Sequence, residues 1–393
     1  MRIASAISQN PDASTAVGEL LSTLSPPITP GAVDLALLFL TAHYDGELPA
    51  ILESLHSSFP NALVTGCTAE GTIGMNLELE RIPSMSLLVA SLPGVDIRPF
   101  HVLQNHIESA ESALDWERIV AVAPESQPKF ILFADPFRAD IHAFLESMNT
   151  WFPGAPLVGG IASAATSPGE NRLILRDEIV HEGIVGIALT GNLEIDTVVS
   201  QGCRPIGKPF VVTRGEQNLV RELGGKAALE QLQSVLSGLS EDDESLARQA
   251  LFLGRAIDEY KDRFQRGDFL IHNIIGADRK SGAIGIAGHA RVGSTVQFHV
   301  RDAASADEDL HALLKPHADK GVTGALLFGC NGRGTRMWPT PNHDVSVLRE
   351  VLGNIPVAGF FCGGEFGPIG RKNFIHGFTA SIALLRPGTS DSV

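Results

Sequence analysis

The chain has 393 residues, 30 Lys plus Arg against 45 Asp plus Glu, and a formal charge of −15. Its length allows about two domains with cores of their own, and an apolar content of 44% excludes wholesale disorder. An acidic chain without a basic tract is repelled by phosphate backbones and anionic lipid, which excludes nucleic acid and membrane surfaces as main partners.

Met1–Asn10 turns polar before an apolar leader could form, so no signal peptide is expected, and no apolar run approaches the ~20 residues that cross a bilayer. Ser22–Pro30 reads as a loop. The apolar run Leu35–Leu40, a helix from about Glu47 to Phe59 and the run Ala62–Cys67 then form a strand-helix-strand element. A second copy follows in Phe130–Phe133, a helix from about Ala139 to Trp151, and Ala155–Gly160. A third lies in Ala325–Phe328, a helix from about Asp344 to Leu352, and Ile355–Gly359. The spacing from strand Phe to strand Gly is nearly equal from Phe39 to Gly66 and from Phe133 to Gly159, and slightly longer from Phe328 to Gly359. Uniformly apolar runs flanking an amphipathic helix fit strands buried on both faces. Each copy leads to one more strand: Met85–Ala90, Gly183–Leu189 and Phe378–Leu385.

Between the second and third copies the texture changes. Lys226–Leu239 reads as a helix, and a second helix capped by Ser240 runs to about Phe264. Phe269–Ile275, Ala283–Ala287 and Thr295–Val300 follow as a meander of antiparallel strands, with Val296, Phe298 and Val300 on one face and Gln297, His299 and Arg301 on the other. The expected fold is therefore α/β: two units with mixed sheets, built from weakly repeated strand-helix-strand elements, with the antiparallel meander in the C-terminal unit. A boundary is expected near residue 225.

Chemistry is expected where strands run into glycine-rich backbone: Gly66–Gly71, Gly159–Ala164, Gly329–Gly334 and Gly359–Gly370. Loops and helix N-termini converge at the carboxyl ends of strands in open α/β sheets, and glycines let N–H groups turn toward a ligand. Cys330, Asn331, Gly332, Arg333, Gly334, Cys362, Gly363, Gly364 and Glu365 are the chief candidates, with Cys67 and Thr68 from the first copy and Arg301 from the meander. Arg333 would hold a carboxylate or small phosphate, and Glu365 an amine. Turns and close packing are the alternative reading of these glycines.

Cys67, Cys330 and Cys362 fall at strand ends that look equivalent, open to three readings: nucleophile, ligand lining or core packing. No catalytic residue is assigned, with these three thiols the candidates. Four cysteines, Cys203 included, without a C-x-x-C pair make neither a disulfide framework nor a zinc site. That usage fits a reducing, cytoplasmic compartment. No metal or cofactor is expected: the His residues are scattered, and neither phosphate-loop nor dinucleotide fingerprint is complete.

The motifs resemble a known family. Val64–Gly71, Leu157–Ser163 and Ser200–Gly207 are similar to FIST N domains, and Gly267–Gly276, Val296–Ala303, Phe328–Gly334 and Gly359–Gly370 to FIST C domains. On this resemblance 1–225 is FIST N-like, recognisable from about residue 31, and 226–393 FIST C-like. The resemblance implies a sensory, signal-transduction module for a small ligand, an amino acid or related metabolite being favoured. The flanks beyond the motifs are too short for a kinase, cyclase or F-box, so a signal is expected to leave through a partner in trans or a homo-oligomer. An enzyme using a strand-end cysteine and an interaction scaffold without a ligand are the alternatives.

Overall fold

A computed structural model describes residues 1–24 and 28–388. The chain divides into two compact units, one formed by Met1–Val199, Leu310–Ile375 and Thr379–Val393, the other by Ser200–Asp309 and His376–Phe378.

The first unit carries the repeat, and each copy is longer than its apolar strands suggest. Copy one is Arg2–Ser8, helix Ala13–Leu24, Leu35–Thr41, helix Leu48–Ser58, Leu63–Ala69, the hairpin Gly71–Gly74 with Leu77–Glu80, and Met85–Ser91. Copy two runs from Val95–Val102 through Lys129–Ala134 and Leu157–Ile161 to Ile184–Gly191, with the hairpin Leu173–Leu175 with Glu178–Val180. Copy three begins at Leu193–Gln201 and resumes, where the second unit's segment of chain ends within helix Ala303–Leu314, with Gly324–Cys330, helix His343–Leu352, Val357–Cys362, the hairpin Glu365–Ile369 with Lys372–His376, and Thr379–Pro387. Of the stretch expected to be a Ser22–Pro30 loop, Ser22 to Leu24 close the first helix, and 25–27 lie outside the described residues.

Each copy seeds a six-stranded sheet around one parallel pair: Leu35–Thr41 with Leu63–Ala69, Lys129–Ala134 with Leu157–Ile161, and Gly324–Cys330 with Val357–Cys362. The hairpins do not complete their own sheets. Copy one's pairs through Thr72–Gly74 with Val357–Cys362 of copy three; copy two's pairs with Leu63–Ala69 of copy one; copy three's pairs through Glu365 and Phe366 with Gly160 and Gly159 of copy two. The exchange is cyclic, and it stitches the three sheets together.

Their shared core is aromatic. Phe39, Phe133 and Phe328 hold the same position in the three copies, and their ring centroids form a triangle with sides of 5.3, 6.3 and 6.4 Å. Strand register sets Cys67, Gly160 and Phe360 beside them. Only Phe360 is large, and its ring lies 5.0, 6.0 and 5.7 Å from the three phenyls. A Cβ on Gly160 would stand 2.3 Å from the Cys362 Sγ, so the centre admits one large side chain, not three. One residue earlier all three copies carry glycine. A Cβ on Gly66, Gly159 or Gly359 would sit 1.8, 1.9 or 1.8 Å from the carbonyl oxygen of Leu38, Leu132 or Leu327.

The second unit is antiparallel. Cys203–Glu216, Thr295–Arg301, Leu251–Ala256, Phe269–Asp278, Ala283–Ile286 and Leu219–Leu223 pair in that order, and the last returns to the first, closing a ring. Val296, Phe298 and Val300 join its apolar core, as their shared face requires. The helix begun at Ser240 is shorter than expected. The Ser240 hydroxyl accepts from Asp243 N–H, but the helix ends at Gln249, and Leu251–Ala256 is a strand pairing with both Phe269–Asp278 and Thr295–Arg301. Four apolar residues among those six suit a ladder better than the helix face on which they would be spread all round.

Alanine at Gly66, Gly159 or Gly359 is expected to cost about 3 kcal/mol or more, because only backbone can move away. Gly18, exposed within the first helix with nothing within 4 Å of an added Cβ, is expected to gain about 0.5–1 kcal/mol as alanine. Urea denaturation of the four variants checks both signs.

Candidate functional site

The strand ends of the three copies meet in the first unit. The Ser163 hydroxyl of copy two donates to the Phe361 carbonyl of copy three at 2.5 Å and accepts the Glu70 N–H of copy one at 3.0 Å. Arg336 joins the Glu70 carboxylate to the Asn331 carbonyl, each at 2.6 Å. Below this layer lie Cys330, Arg333, Cys362 and Glu365, all buried. The nine chief candidates thus fall in one place, near the chain surface: Gly363 is exposed, and Asn331 and Gly332 are half-buried.

The arrangement differs from the anion cradle expected of it. The backbone N–H groups face inward: Asn331 donates to the Cys362 carbonyl, Gly332 to the Cys330 Sγ, Arg333 to the Cys330 carbonyl and Gly363 to the Ile161 carbonyl. Nor is Arg333 an open cation. It is 0% exposed, and its Nε and Nη2 donate to the two Asp344 oxygens at 2.6 and 2.7 Å. A carboxylate of the chain already fills the role expected of a ligand carboxylate. Although burial opposes its ionisation, the Arg333 guanidinium holds Asp344 down at about 2. His343, stacked on Trp338 with centroids 3.4 Å apart, contacts Asp344 through Nδ1 at 3.0 Å.

Two further carboxyls complete the cluster. Glu78, from the exchanged hairpin of copy one, accepts the Val345 N–H at 2.8 Å at the start of helix His343–Leu352. Glu365 Oε2 accepts the Thr379 hydroxyl at 2.8 Å and its N–H at 3.2 Å, and the Cys330 thiol lies against the same carboxyl. Burial, with Asp344 adding to it, pushes Glu78 up to about 8, and burial does the same to Glu365 against its bonds from Thr379. At neutral pH the cluster therefore holds one ion pair and two protonated carboxyls. Several buried polar atoms find no hydrogen-bond partner among the described residues: Arg333 Nη1, Glu365 Oε1, Asn331 Oδ1, Glu78 Oε2 and Trp338 Nε1.

The cysteines are not equivalent. Cys330 and Cys362 face each other in register, whereas Cys67 pairs with Phe39 two residues deeper and corresponds to Gly160 and Phe360. Burial pushes the Cys67 and Cys362 thiols well up, with Glu365 adding to the effect on Cys362, and a thiol so raised is a poor nucleophile. The Thr68 hydroxyl is taken by Arg172, whose N–H it accepts at 2.9 Å. Arg301 belongs to the second unit, where its guanidinium lies 4.9 and 5.9 Å from the Phe378 and Phe252 rings. Glu78, Asp344 and Thr379 were not among the candidates. Asp344 had a local signal only as an acid opening a helix, and the other two had none.

A cleft of about 510 Å³ opens elsewhere in the first unit, lined by Pro124, Lys129, Phe152, Pro156, Ile195 and Arg371 among others. It contains none of the candidates and lies at the start of strands Lys129–Ala134 and Leu157–Ile161, away from the convergent loops. Among the described residues no group of three or more His, Cys, Asp or Glu is placed to hold a metal, and no helix is long and apolar enough to cross a membrane.

Two outcomes follow from the buried charges. Arg333→Met leaves Asp344 uncompensated and is expected to cost about 3–5 kcal/mol, whereas Arg333→Met with Asp344→Leu costs less than either single change. Urea denaturation of the three variants measures this. The folded chain also holds the Glu78 and Glu365 protons to higher pH than the unfolded chain, whose carboxyls titrate near 4.5. Their contribution to stability is complete below about pH 4.5 and is lost as pH rises through about 8. Glu78→Gln is expected to flatten part of that fall in urea midpoint, and an unchanged slope would count against a protonated Glu78.

The FIST N domain profile matches residues 34–226 and the FIST C domain profile residues 228–368. An uncharacterized protein of Mycobacterium tuberculosis strain H37Rv is 37% identical over 388 residues, which cover 98% of this chain and 99% of that one. Another, from Mycobacterium bovis, is 38% identical over 389 residues, covering 98% of each. Among solved structures, a cyanuric acid hydrolase from A. caulinodans aligns over 98% of this chain and 100% of its own with a TM-score of 0.37 and 8% identity. With both domain profiles in order across most of its length, the chain belongs to the FIST family, whose domains are small-ligand sensory modules.

Proposed function

We propose that the chain is a cytoplasmic sensory protein that binds a small polar metabolite, an amino acid or related compound, at the strand-end cluster of copy three. The observation that carries this reading is the set of buried atoms left without partners there, Arg333 Nη1, Glu365 Oε1 and Asn331 Oδ1. Each such atom costs about 1–3 kcal/mol, a cost removed when a ligand supplies the missing hydrogen bond. The other copies carry no such deficit at the position of Cys330. There the Thr41 hydroxyl accepts the Ser84 N–H at 3.1 Å, and the Asp135 carboxylate accepts from Asn171 and Phe137, both at 3.1 Å. Among the described residues, unpartnered atoms of Asn331, Arg333 and Glu365 gather at the strand ends of the third copy, where copy one supplies Glu78 and elsewhere leaves Asp45 Oδ1. Binding would be read out by a protein partner in trans or by a change of oligomeric state.

Thermal-shift screening of a metabolite library, with mass spectrometry of small molecules carried through purification, tests this directly. A ligand at a hundredfold its Kd is expected to add about 2.7 kcal/mol to stability. Glu365→Gln and Asn331→Ala are each expected to weaken binding about tenfold or more, equivalent to about 1.4 kcal/mol. A library without hits, or hits bound equally by both variants and the parent, would remove the assignment.

A further inference from the structure

The unpartnered groups at the strand ends are of three kinds. Asn331 Oδ1 is an acceptor, Arg333 Nη1 and Trp338 Nε1 are donors, and Glu365 Oε1 and Glu78 Oε2 belong to protonated carboxyls that become acceptors only when the proton leaves. The backbone N–H groups of Asn331, Gly332, Arg333 and Gly363, which could have favoured an anion, are bonded within the chain. Around Glu365 the packed elements supply Thr379 to Oε2, the Cys330 and Cys362 thiols, and the Arg333 guanidinium, whose charge is taken by Asp344, with Glu78 beyond it. A ligand carboxylate would meet a cation already neutralised. A ligand with positive charge and N–H donors would meet Asn331 Oδ1 and, once the Glu365 carboxyl gives up its proton, an ionised Oε1.

Resting on the strand-end site as the ligand site, we propose that the group it recognises is a protonated primary amine, seated against Glu365 Oε1 with Asn331 Oδ1 as a second acceptor, and that its arrival displaces the Glu365 proton to solvent. The step is an exchange of partners: the Glu365 carboxyl loses its O–H proton to water, the carboxylate accepts N–H donors from the ammonium, and no other bond changes. Burial supports the first half, since it keeps Glu365 in the folded chain protonated up to about pH 8. Linkage then fixes the sign. Affinity for the ammonium rises about tenfold per pH unit below about pH 8, and levels off above it until the amine itself loses its proton.

The full chain is tested by thermal shift with methylammonium chloride, glycine and sodium acetate, using sodium chloride and tetramethylammonium chloride at equal ionic strength as controls. Methylammonium and glycine are expected to stabilise, more at about pH 8 than at about pH 6. Acetate is expected to match sodium chloride. Calorimetry with glycine in buffers of different ionisation enthalpy is expected to show about one proton released. Glu365→Gln, whose amide oxygen can still accept from Thr379, should abolish the response, and Asn331→Ala, at a half-buried position, should weaken it. Acetate acting as strongly as methylammonium overturns the proposal, as do amine binding without proton release and the absence of any shift with both amines. A metabolite found by screening whose affinity depends on Glu365 but not on pH overturns the proton exchange and leaves the site standing. Hits insensitive to both variants overturn the site and this proposal together.

Discussion

The centre of the first unit admits one large side chain beside its three phenyls, and the arrangement of the three copies follows from that limit. Phe39, Phe133 and Phe328 keep the threefold pattern, but at the next position Phe360 fills the space while Cys67 and Gly160 give way. Packing to interior density leaves no room for three identical copies there. Once the copies differ at the centre, their strand ends differ as well. Thr41 and Asp135 are bonded within their own copies, whereas Cys330 stands beside Arg333 and Glu365.

The six parallel-paired strands were legible because burial on both faces leaves uniformly apolar runs. Arg2–Ser8, Val95–Val102 and Leu193–Gln201, which open the copies, were not recognised as repeats, because their half-buried patterns match those of many edge strands. The interruption of the third copy after Leu193–Gln201 hid its length further. Cys330, Arg333, Cys362 and Glu365 could be found because glycine-rich strand ends announce themselves. What could not be read was how they are paired. Glu78 bonds Val345 across 267 residues, carried there by a hairpin that belongs to another copy's sheet. The expectation of an open Arg333 failed because sequence shows a charge but not the counter-charge that folding brings to it.

Charge in this chain is therefore organised at two scales. The excess of acids over bases is a surface property that bears on solubility and on which partners approach. The strand-end cluster instead holds one matched ion pair and two carboxyls that burial keeps protonated. Isolated buried charge is too costly to keep, so matching or neutralisation is the physical condition for a polar cluster at this depth.

The cyclic exchange of hairpins also bears on synthesis. The Gly71–Glu80 hairpin leaves the ribosome early, but its sheet partner Val357–Cys362 follows roughly 280 residues later. At ~5–20 residues per second, that separation leaves an uncovered pair of strands waiting for tens of seconds. During that interval the nascent chain carries an open edge able to pair with other chains, and only translation of the third copy covers it.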